Sequence, residues 1–172
     1  MLSGRNQQTK TMTEFEERLS KAIHRGRQRN AEDQRKAREQ ALSEEELKNL
    51  HNKYRLEFSE HIEACFGQLP NHFPGFQFES IYGERGWGAA CSRDDIGPGA
   101  DGRRANYFSR LEMSIRPYNN LHVVELTSKG TIRNKEMFNR THFELINKVD
   151  TDTFLHLIDV WVLEYAELYA AN

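Results

Sequence analysis

The stretch from Asp150 to Ala170, DTDTFLHLIDVWVLEYAELYA, constrains this chain more than any other. Between Phe154 and Tyr169 only His156, Asp159, Glu164 and Glu167 are strongly polar. A helix here is therefore apolar around most of its circumference and has to be covered on several sides. Asp150 or Thr151 offers a capping oxygen, and Asp150 and Asp152 stand at the positive end of the helix dipole, which fixes the start. The expectation is a buried core helix with the rest of the chain arranged to cover it.

The first cover is a second helix. Ser43-Glu44-Glu45-Glu46 has the residue types of a capping box and opens a stripe of Leu47, Leu50, Tyr54, Phe58, Ile62 and Phe66 at spacings of three and four. It ends near Gly67, because LPNHFPG from Leu69 to Gly75 brings two prolines and a glycine that no helix continues through. Upstream, Thr13-Glu14-Phe15-Glu16 marks a short helix with Phe15, Leu19, Ala22 and Ile23 on one face, ending at Gly26. From Arg27 to Gln40 no large apolar residue occurs, so the segment is either a solvated helix held by i,i+4 charge pairs or disordered. The expected organisation is a polar, basic extension over residues 1–42 and a single domain over residues 43–172.

After Gly75 the apolar period changes from about 3.6 to about 2. Phe76, Phe78, Ser80 and Tyr82 alternate with Gln77, Glu79 and Ile81, and Gly83-Glu84-Arg85-Gly86 turns the chain into Trp87–Cys91. Ser92–Arg104, SRDDIGPGADGRR, has no apolar period and is expected to be a mobile loop. Tyr107–Arg116 is the cleanest strand, with Tyr107, Leu111, Met113 and Ile115 on one face and Arg110, Glu112, Ser114 and Arg116 on the other. Pro117–Asn120 turns into a strand at Leu121–Thr127, and a three-residue loop Ser128-Lys129-Gly130 then pairs Leu126 with Ile132 and Glu125 with Arg133. Helix, four to six strands without intervening helices, then helix, is an α+β order. It implies an antiparallel β-meander with an N-terminal amphipathic helix and a buried C-terminal helix packed on one face.

Composition narrows the classes. The 172 residues are 37% hydrophobic and 29% charged, enough for one domain with a real core. There is no run of about 18 apolar residues to cross a membrane and no apolar leader at the N-terminus, so a soluble, cytoplasmic protein is expected. Cys65 and Cys91 match neither a CxxC motif nor a disulfide framework, and both are expected to be reduced and structural. The net charge of −2 is unevenly spread: residues 1–40 carry ten Lys/Arg against six Asp/Glu, while 150–172 carry five acids and no Lys/Arg.

No catalytic signature emerges. The glycines at 83, 86 and 88 join two strands and lack the GK[ST] of a phosphate loop. Asp94, Asp95 and Asp101 lack calcium-loop spacing. The seven histidines include no HxxxH or HExxH pair, and His51, Glu57 and His61 extend over about 15 Å of helix, too far for one ion. No cofactor, metal or catalytic residue is expected. What remains is the outer sheet face, where Arg110, Arg116, Arg133 and Lys135, with Trp87 as a stacking surface, form a candidate site for an acidic peptide or phosphate-bearing ligand. The leading expectation is a non-catalytic intracellular interaction module, binding a protein or other anionic ligand on that face. A nucleic-acid binder using Arg27, Arg29, Arg35, Lys36 and Arg38 with the sheet is the first alternative. A small-molecule enzyme with a pocket between sheet and helices is the second. A monomer is expected over a homodimer formed through the C-terminal helix, because Tyr107, Leu111, Met113 and Ile115 already offer that helix apolar cover.

Overall fold

The computed structural model describes the backbone of residues 4–172 and the side chains of residues 13–41 and 43–172. Helix α1 runs over Gly4–Phe66 and a single-turn helix α2 over Leu69–His72. Five strands follow, β1 Gln77–Ile81, β2 Trp87–Pro98, β3 Arg104–Ile115, β4 Val123–Ile132 and β5 Lys135–Leu145. A 3-10 turn at Ile146–Lys148 leads into helix α3, Thr151–Ala170. The strands form one sheet in chain order, every neighbouring pair antiparallel, so the α+β meander read from the sequence is what the chain builds. None of the described helices is long and apolar enough to cross a membrane.

The chain divides into two compact units, Met1–Glu46 and Leu47–Asn172. In the first, every described side chain from residue 13 to residue 41 is exposed, the stripe of Phe15, Leu19 and Ile23 included. In the second, period-2 alternation puts Ala89, Cys91, Leu111, Met113, Ile115, Val124, Leu126 and Phe138 on the sheet face that two helices cover. Phe58, Ile62 and Phe66 of α1 and Phe154, Ile158, Trp161 and Tyr165 of α3 complete the core. Phe58 stacks on Phe154 at 4.7 Å between ring centres, and Phe73, just past α2, meets Tyr169 edge-on at 5.0 Å. Contacts thus advance along both helices together, and α3 lies beside the end of α1 in the same direction. On the sheet side, the Tyr165 hydroxyl donates to the Thr131 carbonyl at 2.9 Å.

Four sequence expectations are corrected. The helix expected to stop at Gly26 and the one expected to start at Ser43 are one continuous helix. A single interior glycine costs only about 1 kcal/mol against alanine, and Ala31, Gln34, Arg35, Lys36, Ala37, Arg38 and Glu39 are mostly strong helix formers. Ser92–Arg104 is a loop only at its tip, residues 99–103: β2 continues to Pro98 and pairs with β3 from Arg104 onward. Polar contacts replace the missing apolar period there: within β2, Arg93 Nε donates to Asp95 at 2.9 Å, and across the strands the Tyr107 hydroxyl donates to the Pro98 carbonyl at 2.6 Å.

The third correction is the β4–β5 register. Ser128-Lys129-Gly130 is strand, Leu126 faces His142 rather than Ile132, and Glu125 faces Phe143 rather than Arg133. The turn is the two-residue Arg133-Asn134, both left-handed at φ 48° and 70°, the backbone such a hairpin loop requires. Asn134 secures it by accepting from the Phe108 amide at 2.7 Å and donating to the Asn106 carbonyl at 2.7 Å. Gly130 is glycine for want of space: a Cβ there would lie 2.9 Å from the Phe138 ring and 3.0 Å from the Tyr165 ring. Last, Asp150 does precede α3, but its carboxylate accepts from the Thr153 hydroxyl at 2.7 Å and from no backbone N–H.

Candidate functional site

Helix α3 is not covered on every side. The sheet takes one side and α1 another, yet Val160 is 38% exposed and Leu163 is 67% exposed. Where α1 ends and the chain turns through α2, the covering backbone leaves α3, and a groove of about 510 Å³ opens between them. Its walls are Cys65, Gln68, Leu69, His72 and Phe73 on one side and Asp159, Val162, Leu163 and Ala166 on the other. That is the size of an ordinary ligand pocket, mostly apolar with a few polar groups converging on it. A hollow beside Phe15–Arg25 is lined, among the described residues, by a single helix.

At the mouth of this groove three side chains converge. His61 and Cys65 are four residues apart on α1, so one turn of helix puts them on the same face, and Asp159 reaches them from α3. The His61 Nε2–H donates to Asp159 Oδ1 at 2.7 Å, and the Cys65 thiol donates to the same oxygen at 3.5 Å. Cys65 Sγ lies 3.7 Å from His61 Nε2. Burial, and then the hydrogen bond and charge of Asp159, push the Cys65 thiol up to about 11. A nucleophilic relay requires the imidazole to stand between thiol and carboxylate, using one ring nitrogen for each. Here one nitrogen faces both, and the thiol is held protonated, so the trio is not built to activate sulfur. Cys91, the other free cysteine, is fully buried and donates to the Phe66 carbonyl at 3.4 Å.

The residues singled out from the sequence are distributed otherwise. Arg110 is on the outer sheet face but bound to two carboxylates, Glu79 at 2.7 Å and Glu112 at 3.1 Å. Arg116 is exposed at one end of β3, where its backbone N–H donates to the Glu125 carbonyl at 2.9 Å. Arg133 and Lys135 lie at the opposite end of β4, roughly 25 Å along the strand at about 3.3 Å per residue. The Arg133 guanidinium sits 4.3 Å over the Tyr107 ring. Trp87 pairs with the buried Ile115 and belongs to the helix-covered face, its ring capped by the Arg55 guanidinium at 4.3 Å. These five residues therefore do not form one patch.

Arg27, Arg29, Arg35, Lys36 and Arg38 are all exposed on α1. At about 100° per residue, Arg27, Arg35 and Arg38 share one side of the helix while Arg29 and Lys36 lie on the other. Arg35 also pairs with Glu39 at 3.7 Å. The groove residues escaped the sequence reading, although His61-x-x-x-Cys65 is a readable ligand spacing once His–Cys pairs are sought as well as His–His pairs. Asp159 carried no local signal, being 94 residues beyond Cys65. No protein-family model, no curated protein and no solved structure matches this chain.

Proposed function

We propose that the protein is a non-catalytic interaction module that receives a cationic amphipathic helix of a protein partner in the groove between α1, α2 and α3. The observation that carries this reading is the groove's chemistry. Its walls are mainly apolar, with Asp159 the one acid among them, and the segments that build it, residues 57–72 and 150–172, hold eight Asp/Glu, of which Glu164 is paired with Arg140, and no Lys or Arg. Apolar walls give a docked helix its burial, and the excess of acids on the segments around them favours a cationic partner and steers the encounter. The polar sheet face is a weaker location for the ligand, because Arg110 is already neutralised by Glu79 and Glu112 and Lys129 lies 3.5 Å from Glu136.

Fluorescence anisotropy with two labelled helical peptides of identical apolar face, one carrying lysines and one glutamates, tests the reading. The lysine peptide is expected to bind, more weakly as salt rises, and Leu163→Glu to weaken it by about ten-fold or more, the loss of one well-buried apolar anchor. Equal binding of both peptides, or no effect of Leu163→Glu, refutes it.

A further inference from the structure

The three side chains at the groove mouth have a geometry that their hydrogen bonds alone do not require. Donor atoms arranged tetrahedrally about a zinc ion stand apart by distances set by the bond lengths. With about 2.3 Å to sulfur and about 2.0–2.2 Å to nitrogen or oxygen, sulfur stands about 3.5 Å from either neighbour, and nitrogen about 3.3 Å from oxygen. The chain presents Sγ to Oδ1 at 3.5 Å, Sγ to Nε2 at 3.7 Å and Nε2 to Oδ1 at 2.7 Å. Two of the three separations already match, and the third opens by about 0.6 Å once an ion replaces the proton shared between imidazole and carboxylate. All three ligand atoms lie within 4.8 Å of one another.

We propose that His61, Cys65 and Asp159 form a site for a divalent transition-metal ion of zinc or cobalt(II) type, its fourth coordination position open to the groove that Cys65 and Asp159 line. Imidazole with thiolate selects such borderline-soft ions over Mg²⁺ and Ca²⁺, which take oxygen ligands. Binding displaces the thiol proton to solvent and shifts the imidazole proton to Nδ1, so the ion, one neutral imidazole and two anionic ligands leave the site uncharged. Because the ligands come from α1 and α3, the bound ion also clamps the two groove walls together. The site does not depend on a peptide occupying the groove.

The test uses the full-length protein without any peptide, titrated with Zn²⁺ against a chelating dye and separately with Co²⁺. The expected result is one ion per chain, release of about one proton per ion near neutral pH, a thiolate-to-cobalt charge-transfer absorption, and no displacement by Mg²⁺. Cys65→Ser should abolish that absorption and weaken Zn²⁺ binding by more than about 100-fold, since loss of even an outer partner of a ligand costs about 10–100-fold. Asp159→Asn should weaken it by about ten-fold or more, and His24→Gln, in the first unit, should leave it unchanged. In the unmutated protein, where no folding defect can intervene, Zn²⁺ should slow alkylation of Cys65. Absence of stoichiometric binding, persistence of the cobalt–thiolate band in Cys65→Ser, or an alkylation rate indifferent to Zn²⁺ overturns the proposal. Peptide binding measured in excess chelator keeps the two readings apart.

Discussion

Gly130 is the position where a single methyl group tests the register of the sheet. It sits in β4 opposite Phe138, and a Cβ would find Phe138 Cζ at 2.9 Å, Phe138 Cε1 at 3.0 Å and Tyr165 Cδ2 at 3.0 Å. Comfortable carbon contacts are about 3.5–4.0 Å, so both rings would have to retreat by about 0.5–1 Å. Neither is free to do so: Phe138 is 7% and Tyr165 1% exposed, and the tyrosine is tethered through its hydroxyl to Thr131. Overpacking of this kind costs about 1–3 kcal/mol, partly offset by about 0.4–1 kcal/mol because alanine restricts the unfolded chain more than glycine. Gly130→Ala is therefore expected to destabilise the domain by about 1–2 kcal/mol, read as a lower urea midpoint at unchanged slope and a melting temperature lower by about 2–8 °C.

The same substitution in the alternative register, with Gly130 at a left-handed loop position, would also destabilise, but through backbone strain. Phe138→Leu separates the two causes. It removes the ring atoms that the new methyl meets, so Gly130→Ala should cost less in the Phe138→Leu background, with a favourable coupling of about 0.5–2 kcal/mol. Additive effects of the two changes, or a neutral or stabilising Gly130→Ala, would refute the close packing inferred at this position.

Two further outcomes are expected. Trp161, buried in the core face of α3, should cost about 3–5 kcal/mol when replaced by alanine and leave the domain largely unfolded by circular dichroism; retained secondary structure with a shift in elution volume would place it at a subunit seam instead. Arg140 holds Glu164 through a bidentate pair, one arm at 2.8 Å, and these hydrogen bonds lower the carboxyl's pKa from its ordinary value. A carboxylate lowered on folding stabilises above its unfolded pKa and loses that contribution as pH falls through the folded value. Since both side chains are about one-third exposed, acidification from about pH 7 to about pH 3 should cost the unmutated protein at most about 1 kcal/mol more than Glu164→Gln, measured by urea midpoints; an equal loss in both would show that the pair contributes nothing.

The parts of the fold that could be read were those where burial repeats along a short piece of chain. Phe58, Ile62 and Phe66 recur at helical spacing, and Leu111, Met113 and Ile115 at strand spacing, and each set is fully or almost fully buried. The β2–β3 hairpin was hidden because its distal half buries little and is held by polar contacts such as Arg93 with Asp95, which leave no hydrophobic period. Gly130 misled because glycine serves two purposes, left-handed turns and lack of bulk, and only the rings of Phe138 and Tyr165, brought by β5 and α3, show which one applies. The continuity of α1 through Gly26 and Ser43 was obscured by punctuation residues whose local cost is smaller than the propensity of the residues around them.

The feature that most constrained the fold also determines where a ligand would go. An isolated helix as apolar as α3 needs cover on three sides, and one chain of this architecture supplies two: the sheet, through Phe138 and Tyr165, and α1, through the stacked pair Phe58 and Phe154. The α1 side is covered only as far as α1 extends. Beyond Phe66 the chain turns away through α2, and Val162, Leu163 and Ala166 are left facing Leu69 and Phe73 across a groove. Exposed apolar area of this kind is costly in water unless it is used. Pattern alone showed that α3 needs cover on several sides and led to the expectation that the chain supplies it, while the position of the uncovered part depended on where α1 ends, at Phe66 before Gly67 and Pro70. His61 and Cys65 stand on the last turns before that end, and Asp159 stands one turn before Leu163. The polar trio and the apolar groove are thus adjacent for one reason: both lie where the cover of α3 runs out.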